Sequence, residues 1–414
     1  MTGAGAHLPR PGQGTDHNLA LRHMPVLRFD AAEPYRPLVI GYTVFRGPGA
    51  SPSSKFEIAP RGAVTVEYAI WYDWDIQHLY DLEHVWMHLD AAGAVLAVEA
   101  SFHGQRVPMA PAGDLPAMAG PRPVLYAEPG KHAHWADAAA MAVQGGARIR
   151  AMCGPQAGAG AVHRGNPFFA AGRYGVTRLA DRLARRKMQR DAFVPRFAFS
   201  HAADAAAPVL TPWPVLQDWI PQRMAYLMAA LPATVPHLAA VFLDCGDTLI
   251  DEATEVKRAG TEVVLQADEV PHAMAAVRAL HDEGYPLVLV ADGPRETFEN
   301  LLKPRGIWDL MRGHVISGEV GALKPSPRMF AAAMQAAGLP ASACARVVMV
   351  GNNLERDIRG ANDFGLISLF VGWSRRRRQQ PATPSEMPDH RIDQLDRLAA
   401  TIAAIELALP EGQA

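Results

Sequence analysis

The chain has 414 residues, of which 49% are hydrophobic and 20% are charged, and its formal net charge is −2. This length is enough for two or three domains with buried cores, and the composition excludes a disordered chain, a small disulfide-bonded scaffold and a fibrous repeat. The nearly balanced charge argues against binding of nucleic acid through positive charge, so no nucleic-acid partner is expected.

The cysteines and the apolar runs bear on where the protein works. Cys153, Cys245 and Cys344 are odd in number and form no CxxC pair, which predicts reduced thiols and a cytoplasmic location. Apolar runs such as AAVFL and PLVLVA stop at charges, glycine or proline after five or six residues. A membrane-spanning helix needs about 18 or more, so no membrane partner is expected.

Residues 1–24 contain scattered glycine, proline and histidine where a secretory leader would need an unbroken apolar segment, and they are expected to form a flexible arm. Residues 25–135 have the texture of strands, with short β-branched and aromatic runs such as VTVEYAIWYDWDI, EHVWMHLD and RPVLYAE. This pattern predicts a mainly β, sandwich-like domain. Residues 136–235 mix a basic helical stretch with a proline-rich piece and are expected to form an extension and a linker.

Histidines and carboxylates cluster in the first of these regions. Six of the sixteen histidines fall between His78 and His134. The side chains of Asp75, His78, Asp81 and Glu83 are of the types that bind a divalent ion. Two interpretations stay open: these residues hold a metal ion, or the histidines form a strand surface satisfied by the backbone and water.

The order HxxDxEHV, SxHG and PVLY with GKHA resembles the necrosis-inducing cytolysin family and its vacuolar protein sorting-like relatives. In that family a motif close to GHRHDWE supplies a metal site, which implies ligand roles for His78, Asp81 and Glu83, with Asp75 or Asp73 as the upstream acid. The chain departs from that motif at Gln77 for Gly, Tyr80 for the second His and Leu82 for Trp.

Residues 236–414 alternate strand-like and helix-like segments, including HLAAVFLD, AMAAVRALHDEG, PLVLVADG and RVVMVGN. The alternation predicts an α/β, Rossmann-like domain whose parallel sheet has helices on both faces. Asp244, Asp292 and Asn352 each follow an apolar run. They are therefore expected to meet at the carboxyl edge of the sheet, where ligands bind.

Four segments of this half resemble, in order, the motifs of the haloacid dehalogenase-like (HAD) superfamily: VFLDCGDTLIDE, LVLVADG, SGEVGALKPSPRMF and VVMVGNNLERDIRGAN. Lys324 in the third segment is a sharp match, because only six of the 40 basic residues are lysines. The resemblance implies a hydrolase, namely a magnesium-dependent phosphatase that acts through an aspartyl-phosphate on Asp244.

The resemblance also implies a role for each site residue. Asp244 would be the nucleophile and Lys324 would neutralise charge in the transition state. Mg²⁺ would be held by Asp244, the Gly246 carbonyl, Asn352 and Asp357. The phosphate would lie against Thr248, Ala291, Asp292 and Gly293.

Three positions depart from the HAD pattern. Gly246 stands where the general acid–base Asp is expected, Ala291 replaces a phosphate-binding hydroxyl, and Asn352 replaces a metal-binding carboxylate. Without the acid, the leaving alkoxide lacks its usual proton donor, which is worth roughly 10²–10⁴-fold in rate. Asp247 is expected either to bend in as the donor or to remain a solvent-facing turn carboxylate.

Motif spacing bears on the substrate. Only 42 residues separate Thr248 from Ala291, and 32 separate Ala291 from Lys324, so an inserted cap domain does not fit. An uncapped site can admit a bulky phosphorylated substrate as well as a small one. The arginine run at residues 375–378 is expected either to be a solvated loop or to grip a polyanion. The competing interpretation of the whole chain is a binding or scaffold protein that senses a phosphorylated ligand without turnover.

Overall fold

The computed structural model describes residues 4–110, 114–200 and 207–412. The chain divides into two compact units, which are unit 1 (Met1–Leu231) and unit 2 (Pro232–Ala414). Among the described residues, no helix combines the length and the apolar character needed to cross a bilayer.

Unit 1 is rich in β-structure. Its strands are β1 (Val26–Asp30), β2 (Val39–Phe45), β3 (Gly49–Ala50), β4 (Glu57–Ile58), β5 (Val64–Trp74), β6 (His78–Leu89), β7 (Val95–Phe102), β8 (Gln105–Pro108), β9 (Met118–Ala119), β10 (Arg122–Ala127), β11 (His134–Trp135), β12 (Ala161–Val162), β13 (Phe199–Ser200) and β14 (Val209–Pro212). One sheet has the order β14-β2-β5-β6-β7-β8, with β12 beside β6, and a second has the order β11-β10-β1-β13, with β9 beside β10.

The two sheets of unit 1 share a hydrophobic core. Phe29 of β1 and Leu125 of β10 belong to the same buried cluster as Tyr68 of β5 and Val85 of β6. Alternate strand residues face this cluster because side chains change face at every residue of a strand. The predicted β-rich character of this region is confirmed, and the sandwich-like arrangement stays a prediction.

The helices of unit 1 lie mostly outside the strand-rich region. They are α1 (Thr15–His23), α2 (Ala138–Cys153), α3 (Pro167–Ala170), α4 (Arg178–Arg190) and α5 (Trp213–Thr234). The structure differs from the expected flexible arm, because α1 lies within residues 1–24 and buries Ala20 in the hydrophobic core. The expected extension and linker also contributes strands to unit 1, since β14 pairs in parallel with β2 and β13 pairs with β1.

Unit 2 alternates strands and helices. Its strands are β15 (Ala240–Leu243), β16 (Val256–Lys257), β17 (Val264–Gln266), β18 (Leu287–Ala291), β19 (Gly313–Ile316), β20 (Val347–Gly351), β21 (Ile367–Val371) and β22 (His390–Ile392). Its helices are α6 (Ala273–Asp282), α7 (Arg295–Leu302), α8 (Ser317–Val320), α9 (Pro327–Ala337), α10 (Arg359–Phe364) and α11 (Leu398–Ala408).

The predicted parallel α/β sheet of unit 2 is confirmed. Its six strands have the order β19-β18-β15-β20-β21-β22, and all neighbours pair in parallel. Val241 and Leu243 of β15 pack in one hydrophobic cluster with α6 and α11, while Ala240 and Phe242 pack in another with α9. Both faces are buried, so the strands read as continuous apolar runs, which is why the sequence predicts them.

Candidate active site

Three polar residues lie where neighbouring strands of unit 2 end. Asp244 follows β15, Asp292 follows β18 and Asn352 follows β20. After β15 the chain builds β18 and β19 on one side and β20 on the other, so this edge is the switch point at which such sheets bind ligands. An open cleft of about 940 Å³ lies here and is lined by all three residues.

Lys324 joins two of the predicted site carboxylates. Its Nζ lies 2.6 Å from Asp244 Oδ1 and 2.7 Å from Asp357 Oδ1, and it donates a hydrogen bond to the Val290 carbonyl at 2.9 Å. Burial opposes the charge on Lys324, but the carboxylates of Asp244 and Asp357 outweigh burial and raise the pKa of Lys324. The ammonium is therefore charged and placed to neutralise negative charge beside Asp244.

Asp357 is positioned by a short helical turn, residues 354–358. Asn353 caps this turn by accepting two backbone N–H groups, and Asp357 Oδ2 accepts the Asn353 N–H at 3.0 Å. Gly351 leaves room for the carboxylate, since a Cβ there would lie 2.6 Å from Asp357 Cβ. Burial and the nearby Asp244 raise the pKa of Asp357 to about 7, because two carboxylates in a dry site repel each other.

Two of the predicted phosphate-binding side chains bond to other site residues. Thr248 Oγ1 donates to Asp244 Oδ2 at 3.1 Å. Asp292 Oδ1 accepts the Lys324 backbone N–H at 3.1 Å, and its Oδ2 faces Arg356 Nη1 at 3.5 Å. These two side chains therefore orient Asp244 and the backbone that carries Lys324.

The other two predicted phosphate-binding residues, Ala291 and Gly293, carry no hydroxyl, but Gly293 bonds to one. Ala291 ends β18 with a buried methyl group. Gly293 donates its backbone N–H to Ser317 Oγ at 2.9 Å, and Ser317, at the start of α8, lines the cleft. A hydroxyl is therefore available close to Ala291, contributed by the first residue of the third motif-like segment.

The oxygen donors of the site suit a magnesium ion. Asp244, Gly246, Asn352 and Asp357 all line the cleft, and carboxylate, carbonyl and amide oxygens are the ligands that Mg²⁺ prefers. Burial and repulsion by Asp244 both raise the pKa of Asp357, and a cation bound here would relieve that repulsion. Over residues 4–110, 114–200 and 207–412 no three His, Cys, Asp or Glu side chains are arranged to hold a metal, which agrees with a donor set of only two carboxylates.

The Asp247 side chain is fully buried and is absent from the lining of the cleft. Its carboxylate accepts hydrogen bonds from Arg376 and from the Glu252 backbone N–H, the latter at 3.1 Å. Its carbonyl accepts a hydrogen bond from Trp373 Nε1. The structure therefore supports neither expectation for Asp247, because the ion pair with Arg376 keeps it away from both solvent and the cleft.

Glu252 fills the space beside Gly246. A Cβ atom on Gly246 would lie 2.9 Å from Glu252 Cδ and 3.2 Å from Cγ, and closer still to Oε1. Arg377 Nη2 donates to Glu252 Oε2 at 2.9 Å. Burial and the nearby Asp247 carboxylate raise the pKa of Glu252. A carboxylate therefore lies beside Asp244 where the motif has lost its own.

The arginine run mostly pairs with acids of unit 2. Arg376 bonds to Asp247, Arg377 to Glu252 at 2.9 Å, and Arg378 to Glu386 at 2.7 Å. Arg375 is exposed. Arg376 and Arg378 are also exposed, so the run is a solvated loop in which three of the four arginines pair with acids, and within the run only Arg377 lines the cleft.

In unit 1, two of the residues expected to share a divalent ion are paired with a lysine. Lys131 Nζ bonds to Asp75, and His78 Nε2 lies 3.0 Å from Asp75 Oδ2 and 3.1 Å from Lys131 Nζ. The ammonium already supplies a positive charge to this carboxylate.

The other two residues of that set have different partners. Asp81 Oδ2 lies 3.2 Å from His132 Nδ1, and Ser101 Oγ donates to Glu83 Oε2. The structure therefore does not bring Asp75, His78, Asp81 and Glu83 together as ligands of one ion, in keeping with the lack of a metal-holding cluster in the described parts of the chain.

The sequence assigned no role to several polar residues of the cleft, among them Glu252, Ser317 and Arg356. Acids and arginines are common in the turns where they lie, so no spacing separates them from solvated neighbours. The one sequence feature that pointed to Glu252 was Gly246, because a glycine at that position leaves space for another side chain.

Comparison with known proteins finds a family match within the C-terminal region. Residues 247–365 match the haloacid dehalogenase-like hydrolase family, and the matched range begins three residues after Asp244. The resemblance of the N-terminal region to the cytolysin family stays a prediction.

Similar curated proteins include two phosphatases. The chain is 30% identical over 124 residues to the glyceraldehyde 3-phosphate phosphatase of Methanopyrus kandleri, covering 30% of this chain and 52% of that protein. It is 33% identical over 125 residues to the phosphoserine phosphatase of Thermus thermophilus, covering 30% and 47% respectively. The chain thus spans about half the length of these relatives. Among solved structures, a HAD phosphatase from Thermococcus onnurineus is 26% identical with a TM-score of 0.29, covering 33% of this chain and 59% of that one.

Proposed function

We propose that this protein is a magnesium-dependent phosphatase that hydrolyses phosphomonoesters through an aspartyl-phosphate on Asp244. The observation that carries the proposal is the buried group of Asp244, Lys324 and Asp357 at a sheet edge that opens into a large cleft. The match of residues 247–365 to HAD-like hydrolases supports it, as do the two similar phosphatases.

The contacts of Asp244 prepare it to attack phosphorus. Lys324 holds its Oδ1 at 2.6 Å and Thr248 holds its Oδ2 at 3.1 Å, so the carboxylate enters the reaction already oriented. Lys324 then offsets the negative charge that builds on the phosphoryl oxygens. Asp244, the Gly246 carbonyl, Asn352 and Asp357 would hold Mg²⁺, which would supply further positive charge to the reaction.

The shape of the cleft bears on substrate size. Between Thr248 and α6 the chain forms a short turn at residues 252–254 and the hairpin of β16 and β17, with no inserted domain. Lys257 and Glu262 of this hairpin line the open cleft. The proposed substrates therefore include phosphoesters too large for an enclosed site.

A second candidate function is binding of a phosphorylated ligand without turnover. Gly246 supplies no proton donor of its own, and Ala291 supplies no hydroxyl. Asn352 in place of a carboxylate also reduces the negative charge available to a metal ion. Each change weakens catalysis while leaving the cleft and Lys324 available to an anion.

Substitution of the nucleophile tests the proposal. The purified full-length chain should hydrolyse p-nitrophenyl phosphate in the presence of Mg²⁺ and lose that activity with EDTA. Asp244→Asn should lower kcat by at least about 10³-fold, because an amide is a poor nucleophile. The measurement is release of nitrophenolate and inorganic phosphate, with circular dichroism to show that the variant is folded.

The two candidate functions predict different outcomes. Activity retained in Asp244→Asn would contradict the mechanism. Binding of inorganic phosphate to the wild type, measured by calorimetry without turnover of any ester, would replace the phosphatase with the ligand-binding function.

A further inference from the structure

Position 246 lacks a side chain, but the space that a side chain would fill is occupied. The nearest atoms to a Cβ built on Gly246 all belong to Glu252, and Oε1 is the closest of them. Glu252 comes six residues later in the chain and reaches this place because the turn folds back on itself, with its backbone N–H bonded to Asp247 Oδ1 at 3.1 Å. Both Glu252 and Gly246 line the cleft beside Asp244.

The contacts of Glu252 leave one oxygen for the reaction. Arg377 Nη2 binds Oε2 at 2.9 Å, and Arg376 Nη2 lies 3.8 Å from the same atom. Oε1 is the atom directed at Gly246. The arginines therefore hold the carboxyl group in one orientation, with its other oxygen turned towards the site.

Other acids near the site lack this placement. Asp247 is buried, bonded to Arg376 and outside the cleft. Glu255 lines the cleft, but its Oε2 faces Lys257 at 4.0 Å, and none of the three atoms nearest to a Cβ on Gly246 belongs to it. Glu252 is thus the carboxyl group that stands closest to the position where the HAD pattern expects its acid.

We propose that Glu252 is the general acid–base of this site, taking over from the side chain that Gly246 lacks. The proposal rests on the phosphatase function proposed above. In the first step Asp244 Oδ bonds to phosphorus and the P–O ester bond breaks, with its electron pair going to the leaving oxygen, which takes the proton of the Glu252 carboxyl group. In the second step water bonds to phosphorus and gives a proton to Glu252, while the electron pair of the Asp244–phosphorus bond returns to the carboxylate, releasing inorganic phosphate.

Leaving-group dependence tests the role, because a good leaving group needs no proton. In Glu252→Gln, kcat for a simple alkyl phosphate such as glycerol 3-phosphate should fall by roughly 10²–10⁴-fold, while kcat for 2,4-dinitrophenyl phosphate should change by less than about 10-fold. Glu255→Gln serves as the matched control and should leave the difference between the two substrates unchanged. An equal loss on both substrates in Glu252→Gln, or no loss on either, would overturn the proposal.

A transfer experiment provides a second check. In Gly246→Asp/Glu252→Ala the introduced Asp can enter the space vacated by Glu252, so hydrolysis of the alkyl phosphate should recover at least 10-fold over Glu252→Ala alone. No recovery in a folded double variant would count against the proposed placement. Failure of the phosphatase function itself is distinguishable, since it would show as absent or Asp244-independent hydrolysis of 2,4-dinitrophenyl phosphate by the wild type.

Discussion

Three charged groups share one buried volume at the candidate site. Asp244, Lys324 and Asp357 are each at most 7% exposed, and the single ammonium lies within 2.7 Å of both carboxylates. Burial raises the pKa of Asp357, and the nearby Asp244 carboxylate, which the single ammonium compensates only in part, raises it further. The site is therefore arranged to gain stability from further positive charge, which a metal ion with oxygen ligands would provide.

Removal of the ammonium should expose this imbalance. Lys324→Met should lower the free energy of unfolding by roughly 3–5 kcal/mol, because it leaves two buried carboxylates without their partner. Lys324→Met/Asp357→Asn should recover part of that loss, since one of the two charges is gone. Differential scanning calorimetry of the wild type and both variants measures these changes in stability. A double variant no more stable than Lys324→Met would contradict the argument.

Individual site residues differ in how far the sequence predicted them. The apolar run before Asp244 predicts its position at the sheet edge, and the resemblance to the HAD motifs implies the roles of Asp244 and of the rare lysine Lys324. Glu252 was not predicted, because its role depends on which way a turn folds and on contacts with Arg377, 125 residues further along the chain.

Hydrogen bonds from the loop after β21 hold the turn after β15 in place. Trp373 donates to the carbonyl of Asp247, and Arg376 binds its carboxylate. This turn carries both the Gly246 carbonyl and the backbone that leads to Glu252. Two elements distant in sequence therefore set the local geometry beside Asp244.

Loss of these hydrogen bonds should lower the free energy of unfolding by a measurable amount. Arg376→Ala should lower the free energy of unfolding by roughly 1–3 kcal/mol, because the buried Asp247 carboxylate loses a charged hydrogen-bond donor. Arg375→Ala is the matched control; Arg375 is exposed, and its removal should cost no more than about 0.5 kcal/mol. Urea unfolding at constant pH compares the two, and equal effects would show that the Arg376 ion pair does not stabilise the turn.

Strand pairing in unit 1 gathers ionisable groups that the sequence showed only as a histidine-rich stretch. In the β5–β6 pair, Tyr72 lies opposite Asp81. His132 stacks on Tyr72 with ring centroids 3.8 Å apart and lies 3.2 Å from Asp81 Oδ2 and 3.4 Å from Glu33 Oε1. Burial opposes charge on His132, but hydrogen bonds to the two carboxylates raise its pKa to about 9.

Stability of unit 1 should depend on this histidine between pH 6.5 and 9. The unfolded pKa of histidine is about 6.5, below the folded value of about 9. The stabilisation is therefore complete below pH 6.5 and is lost as the pH rises through about 9, amounting to about 3 kcal/mol at most.

Tryptophan fluorescence suits the measurement, since six of the eight tryptophans precede residue 232. Urea unfolding should show a larger fall in stability between pH 6 and pH 9.5 for the wild type than for His132→Gln. An identical fall in both would mean that His132 is not charged in the folded protein.

The sequence was sufficient for properties that depend on neighbouring residues. Continuous apolar runs predicted the parallel sheet of unit 2, because strands buried on both faces must be apolar throughout. The same runs placed Asp244, Asp292 and Asn352 at one edge, since the carboxyl ends of parallel strands share an edge. Alternating β-branched and aromatic runs likewise predicted the β-rich character of unit 1.

Contacts between residues that are distant in sequence could be identified only in the tertiary structure. The helix at Thr15–His23 is held by burial of Ala20 in a core built from later strands, and the Asp247 carboxylate is taken up by an arginine 129 residues away. Spacing along a chain constrains which residues share an element, but the path of a turn and the charge nearest a buried carboxylate are set by packing and desolvation. For this reason the resemblance of the sequence to the HAD motifs could suggest Asp244 as the nucleophile, whereas Glu252 could be proposed as the acid only from the folded chain.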